Sequence, residues 1–132
     1  MNSRWTVVAA LLLAMSAAVP VYADDGYDCA NFVNVAKTDP GKAAAACRRL
    51  ADRGDPIPQI FLGFMYAGGS GVPQDYVQAY MWISLAAAKG NLPNMSPPDF
   101  AATSLAIVAA KMTSSQIEQA KALAAAWKPT TH

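Results

Sequence analysis

The sequence predicts an all-α fold, a short superhelix built from antiparallel helix pairs. Two observations carry this prediction: capping residues mark the ends of successive helices, and these marks recur after 36 residues. No segment shows the alternation of apolar and polar residues that would compete as a strand. Two antiparallel helices of this length cannot bury their own apolar faces, so the pairs are expected to stack on one another.

The first 23 residues indicate a secretory signal peptide that is cleaved after Ala23. They contain one charge, Arg4, followed by the apolar stretch Val7 to Met15, and they end in Val21-Tyr22-Ala23. The alternative is an uncleaved anchor, because residues 5–21 reach the lower limit of what crosses a bilayer. With cleavage, the expected location is periplasmic or secreted.

Residues 24–132 are expected to form one domain, in which nine basic and nine acidic side chains cancel. A domain without net charge argues against nucleic acid as a partner. Six helices are predicted in it, at residues 27–37, 40–53, 56–67, 75–89, 98–112 and 114–127.

Caps define these helices in order along the chain. Asp39 and Asp55 are each followed by proline, which places an N-cap oxygen before a residue whose fixed φ suits the first helical position. Gly54 is expected to end the second helix. Asp75 and Thr113 begin later helices, each with glutamine three residues on, which is the spacing of a capping box.

Apolar residues at helical spacing predict which faces are buried. In the third helix they are Ile57, Ile60, Phe61, Phe64 and Met65. In the last helix they are Ile117, Ala120, Ala124 and Trp127.

The helix marks have a period. A shift of 36 residues superimposes Asp39 on Asp75, Ala43 on Ala79, Ala51 on Ala87, Arg53 on Lys89 and Gly54 on Gly90. Helix starts, packing alanines and terminating glycines therefore recur together.

Residues 58–90 closely resemble the Sel-one-like repeat, a relative of the tetratricopeptide repeat. The family pattern is filled by Leu62, Gly63, Tyr66, Gly69, Gly71, Val72, Asp75, Ala79, Trp82, Ala86, Ala87 and Gly90. Pro58 departs from the pattern, and we expect it to be tolerated because the first helical turn has no hydrogen bond for it to lose.

The resemblance implies a domain with a degenerate repeat at 27–55, a full repeat at 56–90 and capping helices within 98–127. It implies a module that binds a protein or peptide. Because the residues offer no catalytic set, we expect a non-enzymatic adaptor without a cofactor. Self-association that completes so few repeats is a further alternative. An envelope enzyme acting on cell-wall material, peptidoglycan or a β-lactam, is the alternative.

Gly63 lies inside a predicted helix, where glycine costs up to about 1 kcal/mol relative to alanine. We expect close approach of the helix that carries Ala79 and Trp82 to offset this cost. The glycine-rich segment 68–71 is an intra-repeat turn, because it lacks the Lys-Ser/Thr that follows a phosphate-binding loop.

Cys29 and Cys47 are equidistant from the turn expected near Thr38 and Asp39. In an antiparallel hairpin they face each other, which predicts a disulfide; two buried free thiols are the alternative. Metal binding is not expected, since two thiols and the distant His132 do not supply the four ligands of a structural zinc site.

Catalytic residues are not predicted either, because the single histidine, His132, is the last residue and most acidic residues have structural roles as caps or ion-pair partners. Phe61, Met81 and Leu85 are apolar where the repeat pattern is usually polar. They are candidates for a partner-binding patch, and packing within the chain is the alternative explanation.

Overall fold

A computed structural model of the protein describes residues 24–90 and 99–130. These residues form seven helices and no strand: α1 (Asp25–Ala30), α2 (Phe32–Thr38), α3 (Pro40–Asp52), α4 (Pro56–Gly68), α5 (Tyr76–Ala88), α6 (Phe100–Ala109) and α7 (Ser114–Ala126). The predicted all-α class is confirmed. The predicted signal peptide, the first residue of the predicted helix 98–112, and His132 lie outside the described residues.

The prediction of one helix at 27–37 is wrong, because the chain breaks there into α1 and α2 at Asn31. The Asn31 backbone leaves the helical region (φ −101°, ψ 26°). Its side-chain Nδ2 donates a hydrogen bond to the carbonyl oxygen of Tyr27 at 3.1 Å. The same oxygen also accepts from the Asn31 backbone N–H at 2.9 Å. Asparagine is a weak helix former in helix interiors because its side chain bonds to nearby backbone groups.

Three of the four predicted N-caps are present, and the capping box forms at Thr113 but not at Asp75, where only the N-cap bond is made. The Thr113 hydroxyl and the Gln116 side chain form both bonds of a capping box. Asp55, by contrast, accepts no hydrogen bond at the start of α4. Pro58 occupies the third helical position, and proline has no N–H to donate to an N-cap oxygen. The expectation that Asp55 caps α4 through its side chain is therefore wrong.

Helices α3 and α5 are equivalent units separated by the 36-residue period. Each has 13 residues. Asp39 and Asp75 accept hydrogen bonds from the backbone N–H three residues later, at 3.0 and 3.1 Å. Gly54 and Gly90 follow the two helices with positive φ, 97° and 80°. The repeat predicted from the sequence is thus present in the backbone.

The helices stack in the order of a helical-repeat superhelix. Helix α3 packs against α1, α2 and α4, and α4 packs against α5. The last two helices depart from the hairpin arrangement, because α6 and α7 both pack on α5 rather than mainly on each other. Helices α3 and α5 are thus each in contact with three others, and α5 joins the last two helices to the repeat.

The main core lies between α1, α3, α4 and α5. Its largest fully buried side chains include Trp82, Leu62, Met65, Cys29 and Cys47. Two smaller clusters continue it toward α6, one around Ile60, Ala86 and Ala101 and the other around Ala79, Ile83 and Val108.

Gly63 lies at a close contact between α4 and α5. A Cβ atom built there would be 2.6 Å from Cγ1 of Ile83 and 3.1 Å from the carbonyl oxygen of Ala79. Any larger residue would push the two helices apart. The expected close approach is present, and the side chain that fills the space is Ile83.

The turn between α4 and α5 stacks on the preceding pair. Gly71 has a positive φ of 73°, and a Cβ there would overlap the carbonyl group of Pro40 at the start of α3. At the opposite end of the helices, the Lys89 ammonium donates to the carbonyl oxygen of Gly54. Both ends of the α4–α5 pair are thereby joined to the pair before it.

A disulfide joins α1 to α3. Cys29 and Cys47 are bonded, with their Cα atoms 4.7 Å apart. The predicted pairing is confirmed and the alternative of two free thiols is wrong. The Arg49 guanidinium also donates two hydrogen bonds of 2.7 Å to the buried Asp25 carboxylate.

The C-terminal tail, residues 127–130, returns to the first half of the chain. The Trp127 ring packs edge to face on Trp82, with 5.9 Å between ring centroids. The Thr130 backbone N–H donates to the carbonyl oxygen of Asp52 at 2.7 Å. The tail thus covers the point where α3 ends.

Candidate functional site

The three residues predicted as a partner-binding patch differ in exposure. Met81 is 6% exposed and lies in the main core cluster. Phe61 and Leu85 are half-buried against the same cluster. Packing within the chain therefore accounts for Met81, whereas Phe61 and Leu85 retain surface that a partner can contact.

Phe61 belongs to a larger arrangement, which we call the phenylalanine row: Phe32, Phe61, Phe64 and Phe100. These are all four phenylalanines of the chain. The rings of Phe32 and Phe61 are 4.9 Å apart between centroids, and those of Phe64 and Phe100 meet edge to face at 5.7 Å. Each side chain is half-buried. The row thus runs over α2, α4 and α6 and offers aromatic surface along its length.

Local sequence explains why the row forms on these helices. Phe61 and Phe64 are three residues apart, so they lie on one face of α4. Phe64 and Phe100 are separated by 36 residues, the period of the repeat. Phe32 is 29 residues before Phe61, outside that period, and only the folding of α1 and α2 onto α3 brings it to Phe61.

Two of the three helices that carry the phenylalanine row, α4 and α6, contain no charged residue. Neither α4 nor α6 contains an Asp, Glu, Lys or Arg. A partner would therefore meet half-buried rings without having to desolvate ionised groups there, and chemically this surface suits an apolar segment.

The acidic side chains of the described residues have structural roles for the most part. Asp25 and Asp28 pair with basic residues of α3, and Asp39 and Asp75 cap helices. Asp52 pairs with Arg48 at 3.2 Å, the i, i+4 contact expected from the sequence. Within residues 24–90 and 99–130, no three His, Cys, Asp or Glu side chains come together as a metal site would need.

Residues of the repeat motif hold the surface in place. Leu62, Ala79, Trp82 and Ala86 are buried in the core clusters. The Tyr66 hydroxyl accepts a hydrogen bond from Arg48 at 3.1 Å. Gly69 ends α4 in the left-handed conformation, with φ 67°. Val72, in the turn before α5, packs against the main core cluster. Ala87 is half-buried in α5, and Gly90 follows that helix.

Stacked helix pairs with a 36-residue period define a helical-repeat protein. The family model of the Sel1 repeat matches residues 44–91, from within α3 to just beyond α5. The chain therefore contains a Sel1 repeat over these residues. No curated protein and no solved structure matches it significantly.

Among the residues that the structure describes, none of the helices has the length and apolar character needed to span a bilayer.

Proposed function

We propose that the protein is an exported, non-enzymatic adaptor that binds an apolar segment of a partner protein on the phenylalanine row. The observation that carries the proposal is the row itself. Sel1 repeats are protein-protein interaction modules, and this one presents four half-buried rings, three of them on helices without charge. Large, partly exposed aromatic side chains supply much of the energy of protein interfaces.

Phe61 and Phe64 are the proposed anchors, because they are adjacent on one face of α4 at the middle of the row. Leu85, packed against the same core cluster as Phe61, extends the contact. Phe32 and Phe100 are the outer members. Removing an anchor is expected to weaken binding more than removing an outer ring, since central contacts are the most completely desolvated.

The disulfide supports export. Bonds between cysteines persist in oxidising compartments and are rare in the cytosol. We therefore propose that residues 1–23 direct export and are removed, leaving a chain that begins at Asp24. Its proposed division is the degenerate repeat 27–55, the full repeat 56–90 and the capping segment 98–127. Intact mass measurement of protein purified from the envelope checks the cleavage, and a mass that retains residues 1–23 would contradict it.

A photoactivatable crosslinker tests the binding surface. It is placed at Phe61 in one protein and at Leu123, exposed on α7, in the control, with an affinity tag after His132. We expect one defined partner to be crosslinked from position 61 and not from position 123. The binding of that purified partner to Phe64→Ala is then expected to be at least about tenfold weaker than to the wild type.

Two results would contradict the proposal. One is equal crosslinking from positions 61 and 123, which would move the interface off the row. The other is turnover of peptidoglycan or a β-lactam by the purified residues 24–132, with loss of that turnover when an aspartate is replaced by asparagine. That second result would favour the envelope-enzyme alternative.

A further inference from the structure

A second surface, distinct from the phenylalanine row, lies on the outer side of α6. We call it the α6 outer face, and its exposed residues are Ala102, Thr103, Ala106, Ile107 and Ala110. Ile107 is 61% exposed, one of the most exposed large apolar side chains of the described residues. The face therefore leaves apolar surface in water at one end of the stack.

The arrangement of the helices explains why this face is open. In the α4–α5 pair, the first helix is covered by the second, whereas α7 packs on α5 and not mainly on α6. The terminal repeat of a helical stack normally has a polar outer face, because no further repeat covers it. The α6 outer face has no charged residue between its two ends, so this end of the stack lacks that polar cap.

Two charges flank the face and indicate what covers it. Asp99 precedes α6, and Lys111 lies just beyond its end. Both are exposed, and no ion pair joins either of them to another described residue. They are 12 positions apart, which is roughly 18 Å along a helix.

A second copy of the same face, related by a two-fold axis, matches this charge pattern. When two α6 helices pair antiparallel, Asp99 of each copy lies beside the partner's Lys111, so both ion pairs form at once. The same register places Thr103 opposite the partner's Ile107. The alanines at 102, 106 and 110 recur every fourth residue and allow the helix axes to come close.

We propose that the protein forms a two-fold homodimer through the α6 outer face, in which a second copy takes the place of the missing next helix. The proposal does not use Phe61 or Phe64, the anchors of the adaptor surface, whereas Phe100, the first residue of α6, borders this face. The interface is one helix face per copy and therefore small. We expect a reversible dimer with a dissociation constant of about 10 to 100 micromolar.

Sedimentation equilibrium of residues 24–132 over a concentration series tests the proposal. We expect Ile107→Lys to raise the dimer dissociation constant at least about tenfold, and Leu123→Lys on α7, the matched control, to leave it unchanged. A thermal melt of both variants verifies that they are folded. A wild-type protein that remains monomeric up to about 1 mM would overturn the proposal.

A charge exchange tests the antiparallel register. Asp99→Lys alone and Lys111→Asp alone each place like charges together, and we expect each to weaken the dimer about threefold to tenfold at low salt. The double variant restores both pairs and is expected to dimerise like the wild type. A double variant weaker than either single change would overturn the register. A dimer lost in Phe64→Ala but not in Ile107→Lys would place self-association on the phenylalanine row and overturn the α6 interface.

Discussion

The first and last helices of the stack are attached to the rest of the domain by different kinds of interaction. At the beginning, Cys29, Asp25 and Asp28 of α1 are joined to α3 by a disulfide and two ion pairs, an arrangement we call the N-terminal clasp. At the end, α7 packs on α5, and the C-terminal tail adds an aromatic contact and a backbone hydrogen bond.

The lengths of the two helices explain the difference. Helix α1 has six residues, too few to bury much apolar surface or to be stable alone. Helix α7 has 13 residues and presents Ala120, Ala124 and the following Trp127 to the core. A short terminal helix is thus fixed by a covalent bond and by charge, whereas a longer one is fixed by packing.

The largest loss of stability is expected from a change at the contact between α4 and α5, because these two helices lie between the two ends of the stack. Gly63→Leu forces α4 away from α5 and should lower the free energy of unfolding by at least about 4 kcal/mol. Gly68→Leu in the same helix is the matched control, because a Cβ at Gly68 meets nothing within 4 Å. Urea denaturation measures both. Equal stability of Gly63→Leu and the wild type would show that the helices do not depend on this contact.

Removing the disulfide breaks the N-terminal clasp alone. The double variant Cys29→Ser, Cys47→Ser should lose about 3 kcal/mol, the value typical of a loop of this size. Hydrogen exchange should accelerate in α1 and α2 and remain slow in α5 and α7. Uniform acceleration over all helices would indicate that the clasp holds the whole domain and not one end.

Loss of the tail contact is the counterpart at the other end. Trp127→Ala should cost about 2 kcal/mol, less than for a fully buried tryptophan because Trp127 is half-buried. Exchange should then accelerate in α7, with α1 unaffected. Leu123→Ala, a change on the exposed side of α7, serves as control. A loss no larger than in this control would mean that the Trp82 contact contributes little.

The smallest effect concerns the charges of the clasp. Asp25→Asn keeps the shape of the side chain but leaves one oxygen to accept from Arg49 and turns an amide N–H donor toward the other guanidinium N–H. It should cost about 1 kcal/mol. The Asp25 side chain is 3% exposed, so salt should screen the contact only weakly. The exposed neighbour Asp24, changed to asparagine, is the control. Asp25→Asn as stable as that control would assign the attachment of α1 to the disulfide alone.

Particular residues show how far the sequence could predict this structure. Asp39, Asp75 and Thr113 fixed three helix starts, because an N-cap bond joins a side chain to a backbone group two or three residues away. Asp55 failed as a cap because of Pro58, a reason already visible in the sequence. The break at Asn31 and the burial of Met81 were not foreseen, because a local sequence pattern does not show which of several possible contacts a residue makes in the folded protein.

The candidate surface was predicted only in part. Phe61 was identified from its departure from the repeat pattern, and the 36-residue period would also have related Phe64 to Phe100. Phe32 carried no such signal, because its contact with Phe61 is made by helices outside the period. Which apolar residues remain on the surface depends on such contacts.

By itself the sequence determined helices α3 to α7, their 36-residue period, the disulfide and the repeat, since capping, helical spacing and turn symmetry act between residues that are close along the chain. Only the tertiary structure decided that α7 packs on α5, that Thr130 binds the carbonyl oxygen of Asp52, and that Met81 is buried. The physical reason is that burial is set by whichever distant segment covers a side chain, and no local pattern specifies that segment.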